Sequence, residues 1–318
     1  MQSKCWMLVL IVALGLVPSL AAHAVDIDGD GMEDKWEKAN GLDYNDPDDA
    51  YLDSDGDNII NVREYELKSD PKDADSPDNT YFVSTSGEDS NFGGSYRTPW
   101  RSIGYALSQI SGGAKKRARI IVGSGTYTES FKLKPYITIS GAVPPPIGDA
   151  KATRPSYATV RGNMTGGTEA AMENLILKPV DLEEPTVLID DVSMRFTDCV
   201  FVGPGSRGIG TPTGVGIAVS TEQADGTVIE RCDFSGFVTG ILAEGDFPLI
   251  RQSFFEELSG DAIKVVGTKT FGGVSLGKAN DPTTGWNSFD IDTIGGKMVK
   301  SSWAGTLKME NNFWKTEN

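Results

Sequence analysis

The sequence has one histidine, His23, in 318 residues. It has three cysteines, Cys5, Cys199 and Cys232, and no apolar run beyond residue 20 that approaches the roughly 20 residues a membrane-spanning helix needs. Bases are few: 29 Lys and Arg stand against 45 Asp and Glu, for a formal net charge of −16. That balance excludes the basic face on which nucleic-acid binding depends, so no nucleic-acid partner is expected. Hydrophobic residues make up 39% and charged residues 23%, which excludes wholesale disorder and allows a sizeable core. The 37 glycines favour turns over long helices.

The first 24 residues account for several of these scarce features. Lys4 precedes an apolar stretch from Trp6 to Leu20, and Ala22-His23-Ala24 offers small residues around a cleavage point. The segment reads as a signal peptide cut before Val25, which predicts a secreted or cell-surface protein with no stable membrane insertion after cleavage. An uncleaved anchor is disfavoured by the shortness of the run. With the leader gone the chain has no histidine, so Ser-His-Asp and Cys-His catalysis and histidine-built zinc sites are excluded. Cys199 and Cys232 remain, and a secreted pair can form a disulfide or pack as two small buried side chains.

Acidity is concentrated in one place. Residues 25–80 hold 15 Asp and 4 Glu against 4 Lys and 1 Arg, a net of −14. An acidic block is usually a solvated tail, but here the acids recur at ligand spacing. Asp26, Asp28, Asp30, Asp34 and Glu37 occupy positions one, three, five, nine and twelve of a loop. Gly31 takes the sixth, and the carbonyl of Met32 is offered at the seventh. A hard cation such as calcium takes six to eight oxygens, and this spacing wraps them round one point. The pattern returns at Asp53, Asp55, Asp57, Ile59 (through its carbonyl), Asn61 and Glu64, with Asn58 at the sixth position. Both loops lead into short predicted helices, with Trp36 and Tyr65 placed to pack.

These loops resemble EF-hand calcium loops. Their wider frame, Gly41-Leu42-Asp43, Asn45-Asp46-Pro47 and Ser69-Asp70-Pro71, is similar to thrombospondin type 3 and related bacterial repeats. The resemblance implies calcium as the cofactor, held with a Kd of about 10⁻⁴–10⁻³ M as in extracellular modules. Dockerins, which also use tandem loop-helix repeats, fit the Trp36-Glu37 and Glu64-Tyr65 endings less well.

Beyond Pro77 the composition shifts to short β-rich segments. Strands are predicted at Tyr81–Ser84, Ile120–Val122, Ile137–Ile139, Asn174–Leu177, Val187–Ile189, Thr227–Ile229, Gly240–Leu242 and Ala262–Val265. A helix is predicted after Thr98-Pro99, with Trp100, Ile103, Leu107 and Ile110 on one stripe. One phrase repeats: Asp198-Cys199-Val-Phe201, Arg231-Cys232-Asp-Phe234, Gln252-Ser253-Phe-Phe255 and Asn311-Asn312-Phe313, with Asn287-Ser288-Phe289 a looser copy. Irregular periods above 20 with short strands point to a solenoid whose coils carry loops of different length. Equivalent residues then stack, which favours packed thiols over a disulfide for Cys199 and Cys232.

The Tyr81-Phe-Val-Ser strand, the Thr98-Pro-Trp-Arg-Ser-Ile segment, Gly125-Thr-Tyr127-Thr-Glu129 and the Gly260-Asp-Ala-Ile-Lys-Val coil resemble the pectate-lyase-like superfamily. The resemblance implies an all-β fold, a right-handed parallel β-helix solenoid with an N-terminal capping helix. The expected organisation is a leader at 1–24, a calcium-loop module at 25–80 and the β-helix at 81–318. A sandwich or propeller is the alternative all-β reading.

That superfamily includes lyases, hydrolases, esterases and binders, so the fold leaves activity open. A histidine-dependent hydrolase is excluded. A calcium-dependent polysaccharide lyase needs a Lys or Arg base and a cation beside the uronate; Arg231, Arg251 and Lys264, placed on predicted strands, with Asp233 and Asp261, are its candidates. The basic run Lys115-Lys116-Arg117-Ala-Arg119 is a candidate grip for an anionic glycan or a solvated loop. Trp286, Trp303 and Trp314 are candidates for stacking on sugar or for plugging the end of the solenoid. The leading expectation is recognition of extracellular polysaccharide or a cell-surface glycan. The lyase and a structural surface protein with a calcium-stabilised spacer remain as alternatives.

Overall fold

In the computed structural model, the repeated phrase of the second half is a corner. The residues described are 25–55, 60–67, 70–72, 79–90, 94, 98–142, 157–206, 211, 213–220, 226–244, 246–266, 275–277, 284–290, 295–302 and 308–315. Asn174, Asp198, Arg231, Gln252, Trp286 and Asn311 all have positive φ, between 50° and 62°. At all six one more residue follows before the next strand begins, and at the first four the preceding strand ends immediately before the corner. A two-residue turn with its first residue left-handed is a bend that Asn and Asp tolerate better than most side chains. The corner therefore fixes the local geometry while the loops elsewhere in each coil vary in length. That is why the phrase recurs at irregular spacing.

Among the described residues the strands form three long, entirely parallel sheets and one short pair. One sheet of seven strands starts at Asn79–Val83 and ends at Leu249–Arg251. A second, of eight, runs from Gly125–Thr128 to Phe313–Lys315. A third, of six, runs from Met164–Thr165 to Val299–Ser301. Each strand pairs with its equivalent one coil away: Phe201 is level with Phe234, and Phe234 with Phe255. This is a right-handed parallel β-helix, the sense that parallel crossovers take. The strands at Val187–Ile189 and Ala118–Val122 lie where the hydrophobic pattern puts them, the second two residues longer at its start.

Inside the solenoid, ladders replace layers. Phe201, Phe234, Phe255 and Phe289 stack at 4.6, 5.1 and 5.0 Å with ring planes within 8° of parallel, and Trp314 continues the column at 4.9 Å. Beside it run Cys199, Cys232, Ser253, Asn287 and Asn312. Both thiols are free and buried, as packed side chains rather than a disulfide. The polar rungs are wired to backbone: Asn287 accepts the Ser253 N–H at 3.0 Å, and Asn312 accepts the Asn287 N–H at 3.0 Å. Burial pushes the Cys232 thiol well above its ordinary pKa, and Cys199 beside it adds to the rise. Cys232 is therefore an inert packing group, and Cys199 is fully buried beside it.

The N-terminal helix differs in detail from the expectation at Thr98-Pro99. It spans Ile103–Gln109, with Ser102 as its N-cap accepting the Tyr105 N–H at 3.1 Å. Asp89 accepts from the N–H groups of Arg101 and Ser102, and Glu129 from those of Ile103 and Gly104. These two carboxylates, remote in sequence, set where the helix begins. Ile103, Ala106 and Leu107 join the solenoid core.

Contacts divide the chain into two units, at Asp73 and Ala74. The first unit has two short helices, α1 (Asp34–Asn40) and α2 (Asn61–Leu67), with Trp36 and Tyr65 edge to face at 5.2 Å. Gly41 closes α1 at φ 65°. The leader, residues 1–24, lies outside the described residues. Among those described, no helix is long and apolar enough to cross a membrane.

Candidate metal centre and lateral cleft

The loop before α1 turns its aspartates inward by using each carboxylate twice. Asp26 accepts the Gly29 N–H at 2.7 Å and the Gly31 N–H at 3.2 Å. Asp28 and Asp30 each give Oδ1 to a loop N–H, Asp28 to that of Asp30 and Asp30 to that of Met32. Their Oδ2 atoms are buried without a hydrogen bond. Gly31 has φ 101°, a conformation that only glycine adopts freely. Met32, the carbonyl candidate, has a fully buried side chain.

Two overlapping groups result. Oxygens of Asp26, Asp28 and Asp30 lie within 4.8 Å of one another, and so do oxygens of Asp30, Glu37 and Asp49. Glu37, on α1, is fully buried, and neither of its oxygens has a hydrogen bond. Buried carboxylates are otherwise paired or bound to metal, because leaving one unpaired costs several kcal/mol. The donor set is all oxygen and strongly anionic, which suits a hard divalent cation. The residues present fit calcium.

Not every loop candidate joins this group. Asp34 turns back to accept the Ile27 N–H at 2.9 Å and lies 3.4 Å from Lys38 Nζ, so it braces the loop. In the second loop, Asn61 and Glu64 are fully buried and Asp53 is exposed. Asp55 is partly exposed, and Asp57 and Ile59 lie outside the described residues. Asp49 was not among the spacing candidates. It stands among Asp43, Asp46 and Asp48 with nothing in its spacing to distinguish it, and only its burial sets it apart.

The metal-free cluster resists ionisation. Burial, then the carboxylates of Asp30, Asp28, Asp49 and Asp34, push Glu37 up to about 7 from an ordinary 4.5. Asp30 and Asp49 are also raised, by burial first. A carboxyl raised in the folded state holds its proton there between about 4.5 and 7, so the metal-free segment loses stability as pH rises through that window. A calcium ion held there would have to displace that proton. Calcium affinity is therefore expected to fall as pH drops below about 7, by roughly ten-fold per pH unit, and to level off above it. Calcium titrations at several values between pH 5.5 and 8 check this; a flat profile contradicts it.

The β-helix carries a second candidate. A cleft of about 610 Å³ lies on the outer face of the eight-stranded sheet. Thr126, Thr159, Ile176, Arg161 and Lys178 form its floor, with Tyr157 at its edge. Inward-facing Tyr127, Val160 and Leu177 alternate with them and fill the core. Arg161 and Lys178 are level with each other on adjacent coils. One wall, Pro179 to Leu182, is pinned by Asn163, whose Oδ1 accepts the Asp181 N–H at 2.8 Å and whose Nδ2 donates to the Asp181 carbonyl at 2.9 Å. The other, Gly203 and Pro204, is held by the Gly203 N–H on Ser235 O at 2.7 Å. Among the described residues, none that lines the cleft is a carboxylate. Arg161 is exposed and has no ion pair among the described residues.

Other sequence candidates are committed elsewhere. Arg231 sits in a corner rather than on a strand, because it takes the left-handed turn position. It binds Asp198 through Nε and Nη2 at 2.7 and 2.8 Å and Glu230 through Nη1, while Arg251 reaches Glu230 at 2.8 Å. Arg251, Asp233 and Lys264 belong to three different sheets, so they do not converge. Asp261 accepts the Lys297 N–H and lies 3.7 Å from Lys300 Nζ. In the basic run, Arg117 pairs with Glu169 and Arg119 with Glu173. Trp314 ends the interior phenyl column, the plugging role; Trp303 lies outside the described residues.

No protein-family model matches the sequence, and no curated protein matches it. Solved structures with a similar chain path include the pectin methylesterase PemA of Erwinia chrysanthemi, at 11% identity and TM-score 0.38, covering 71% of this chain and 67% of that one. A variant pectin methylesterase in complex with a hexasaccharide has 12% identity and TM-score 0.43, over 76% and 94% of the two chains. The enzyme from Aspergillus niger has 14% identity and TM-score 0.35, over 74% and 90%. At these identities the likeness concerns chain path alone, and nothing about either site is carried over from it.

Proposed function

We propose that this is a secreted calcium-binding protein whose β-helix recognises an anionic extracellular polysaccharide. The observation that carries the reading is the lateral cleft, with Arg161 and Lys178 side by side on its floor. Adjacent strands are about 4.8 Å apart, and Arg161, exposed beside Lys178, is the cation placed to meet a carboxylate or sulfate. Arginine offers a planar fork suited to either anion, and the Thr126 and Thr159 hydroxyls and Tyr157 add neutral contacts to sugar. The cleft volume is in the range of ligand sites. Among the described residues, a floor with cations and without a carboxylate supports binding of an anionic sugar. The calcium cluster supports a module that folds where calcium is plentiful, outside the cell.

Electrophoresis of residues 25–318 through gels containing neutral or anionic polysaccharides tests the reading. Retardation by an anionic polymer is expected, with Arg161→Ala reducing the apparent affinity about ten-fold or more. Indifference to every anionic polymer, or an Arg161→Ala variant as strongly retarded as the parent, would rule the cleft out.

A further inference from the structure

Asp49 lies outside both twelve-residue loops, in a short 3-10 turn at Asp49–Tyr51. It faces both of them. Its Oδ2 accepts the Asp43 N–H at 2.8 Å, which fixes the carboxylate. Its Oδ1 is buried without a hydrogen bond. One oxygen each from Asp49, Asp30 and Glu37 fall within 4.8 Å of one another, and both Glu37 oxygens are also buried without a hydrogen bond. That is a first-loop site closed from outside the loop. The carbonyl of the same residue accepts Asn61 Nδ2 at 2.8 Å, and the neighbouring Leu52 carbonyl accepts the Asn61 N–H at 2.9 Å. Asn61 is the ninth position of the second loop, is fully buried, and keeps its Oδ1 without a hydrogen bond.

We propose that Asp49 is a ligand of the first calcium ion, supplied from between the loops, and that the Asn61–Asp49 hydrogen bond couples the two sites so that they fill cooperatively. This rests on the calcium reading above. Asp49 cannot settle against a first ion without also fixing the peptide that holds Asn61, and Asn61 is a candidate ligand of the second. Ordering one loop therefore removes part of the ordering cost of the other, which is positive coupling. A pair of independent loops would need no such shared residue.

The test is calcium titration of residues 25–318 by calorimetry, with Trp36 emission as a second readout. Two ions binding in one cooperative transition are expected for the parent. Asp49→Asn should weaken calcium binding about ten-fold or more and flatten the transition, while Asp48→Asn, an exposed neighbour, should match the parent. Asn61→Asp keeps an oxygen for the second ion but loses the donor to Asp49. It should still bind two ions, with cooperativity lost. This second variant decides the matter if Asp49→Asn fails to regain its near-ultraviolet circular dichroism at saturating calcium. An Asp49→Asn titration like the parent's overturns the ligand assignment, and an Asn61→Asp variant with full cooperativity overturns the coupling. A parent that binds no calcium overturns the calcium reading itself, a result distinct from both.

Discussion

Chelation of calcium is expected to unfold the segment from Val25 to Asp73 and leave Ala74 to Asn318 folded. Among the described residues of that first unit, the buried apolar side chains are Met32, Ala50 and Pro71. Asp34, Glu37, Asp49, Asn61 and Glu64 are buried with them. Full burial of a methionine stabilises by about 1.5–3 kcal/mol. Above about pH 7, where Glu37 ionises, it is a buried carboxylate without a hydrogen bond at either oxygen, which costs several kcal/mol. The apolar term alone cannot offset that. A calcium ion present at 100 times its dissociation constant adds about 2.7 kcal/mol per site, which reverses the balance. The edge-to-face pair of Trp36 and Tyr65 joins α1 to α2, so its near-ultraviolet dichroism should vanish with chelator and return with calcium. Limited proteolysis read by mass should show cuts confined to residues 25–73 under chelation. Full protection of that segment in chelator would mean the carboxylates are stabilised some other way.

The second large effect belongs to the solenoid. Phe234→Ala is expected to cost about 3–5 kcal/mol, the range for truncating a fully buried phenylalanine. Phe234 is fully buried and stacks on Phe201 at 4.6 Å and on Phe255 at 5.1 Å, so the vacancy opens in the middle of a column. The rings above and below sit on strands of the same sheet, each paired on both sides, and cannot collapse into the space. For a unit of this length the cost corresponds to a fall in Tm of roughly 6–20 °C. Phe234→Leu keeps more of the volume and should lose less. The loss should be the same with calcium and with chelator, since the column belongs to the other unit. A fall in Tm of less than about 2 °C would show that the column contributes little.

Much of this molecule was readable from residue order. The twelve-residue spacing brought together Asp26, Asp28, Asp30 and Glu37, because a short loop round a point is a local object. The repeated Asp-Cys-Val-Phe phrase marked the corners, because at five of the six the left-handed residue is followed three positions later by an aromatic. The free state of Cys199 and Cys232 followed from the same stacking. Boundaries were less legible. The capping helix begins at Ile103 rather than near Pro99, because Asp89 and Glu129 cap it from outside the local sequence.

The sequence alone determined composition, the concentration of acid before residue 80, a single histidine at position 23, and a coil of short strands. Those follow from residue types and nearest-neighbour spacing. Only the tertiary structure decided which charges act together. Asp49 looks like any of its acidic neighbours until burial places its oxygen beside Glu37. Arg231 and Arg251 look free until Asp198 and Glu230, one coil away or in the same turn, are found holding them. Arg161 and Lys178 are 17 positions apart and unremarkable until the coil sets them level at the floor of one cleft. For the charges of the β-helix the reason is the same in both cases. A solenoid fixes neighbours by the length of a coil, and variable loops make that length unreadable from the sequence.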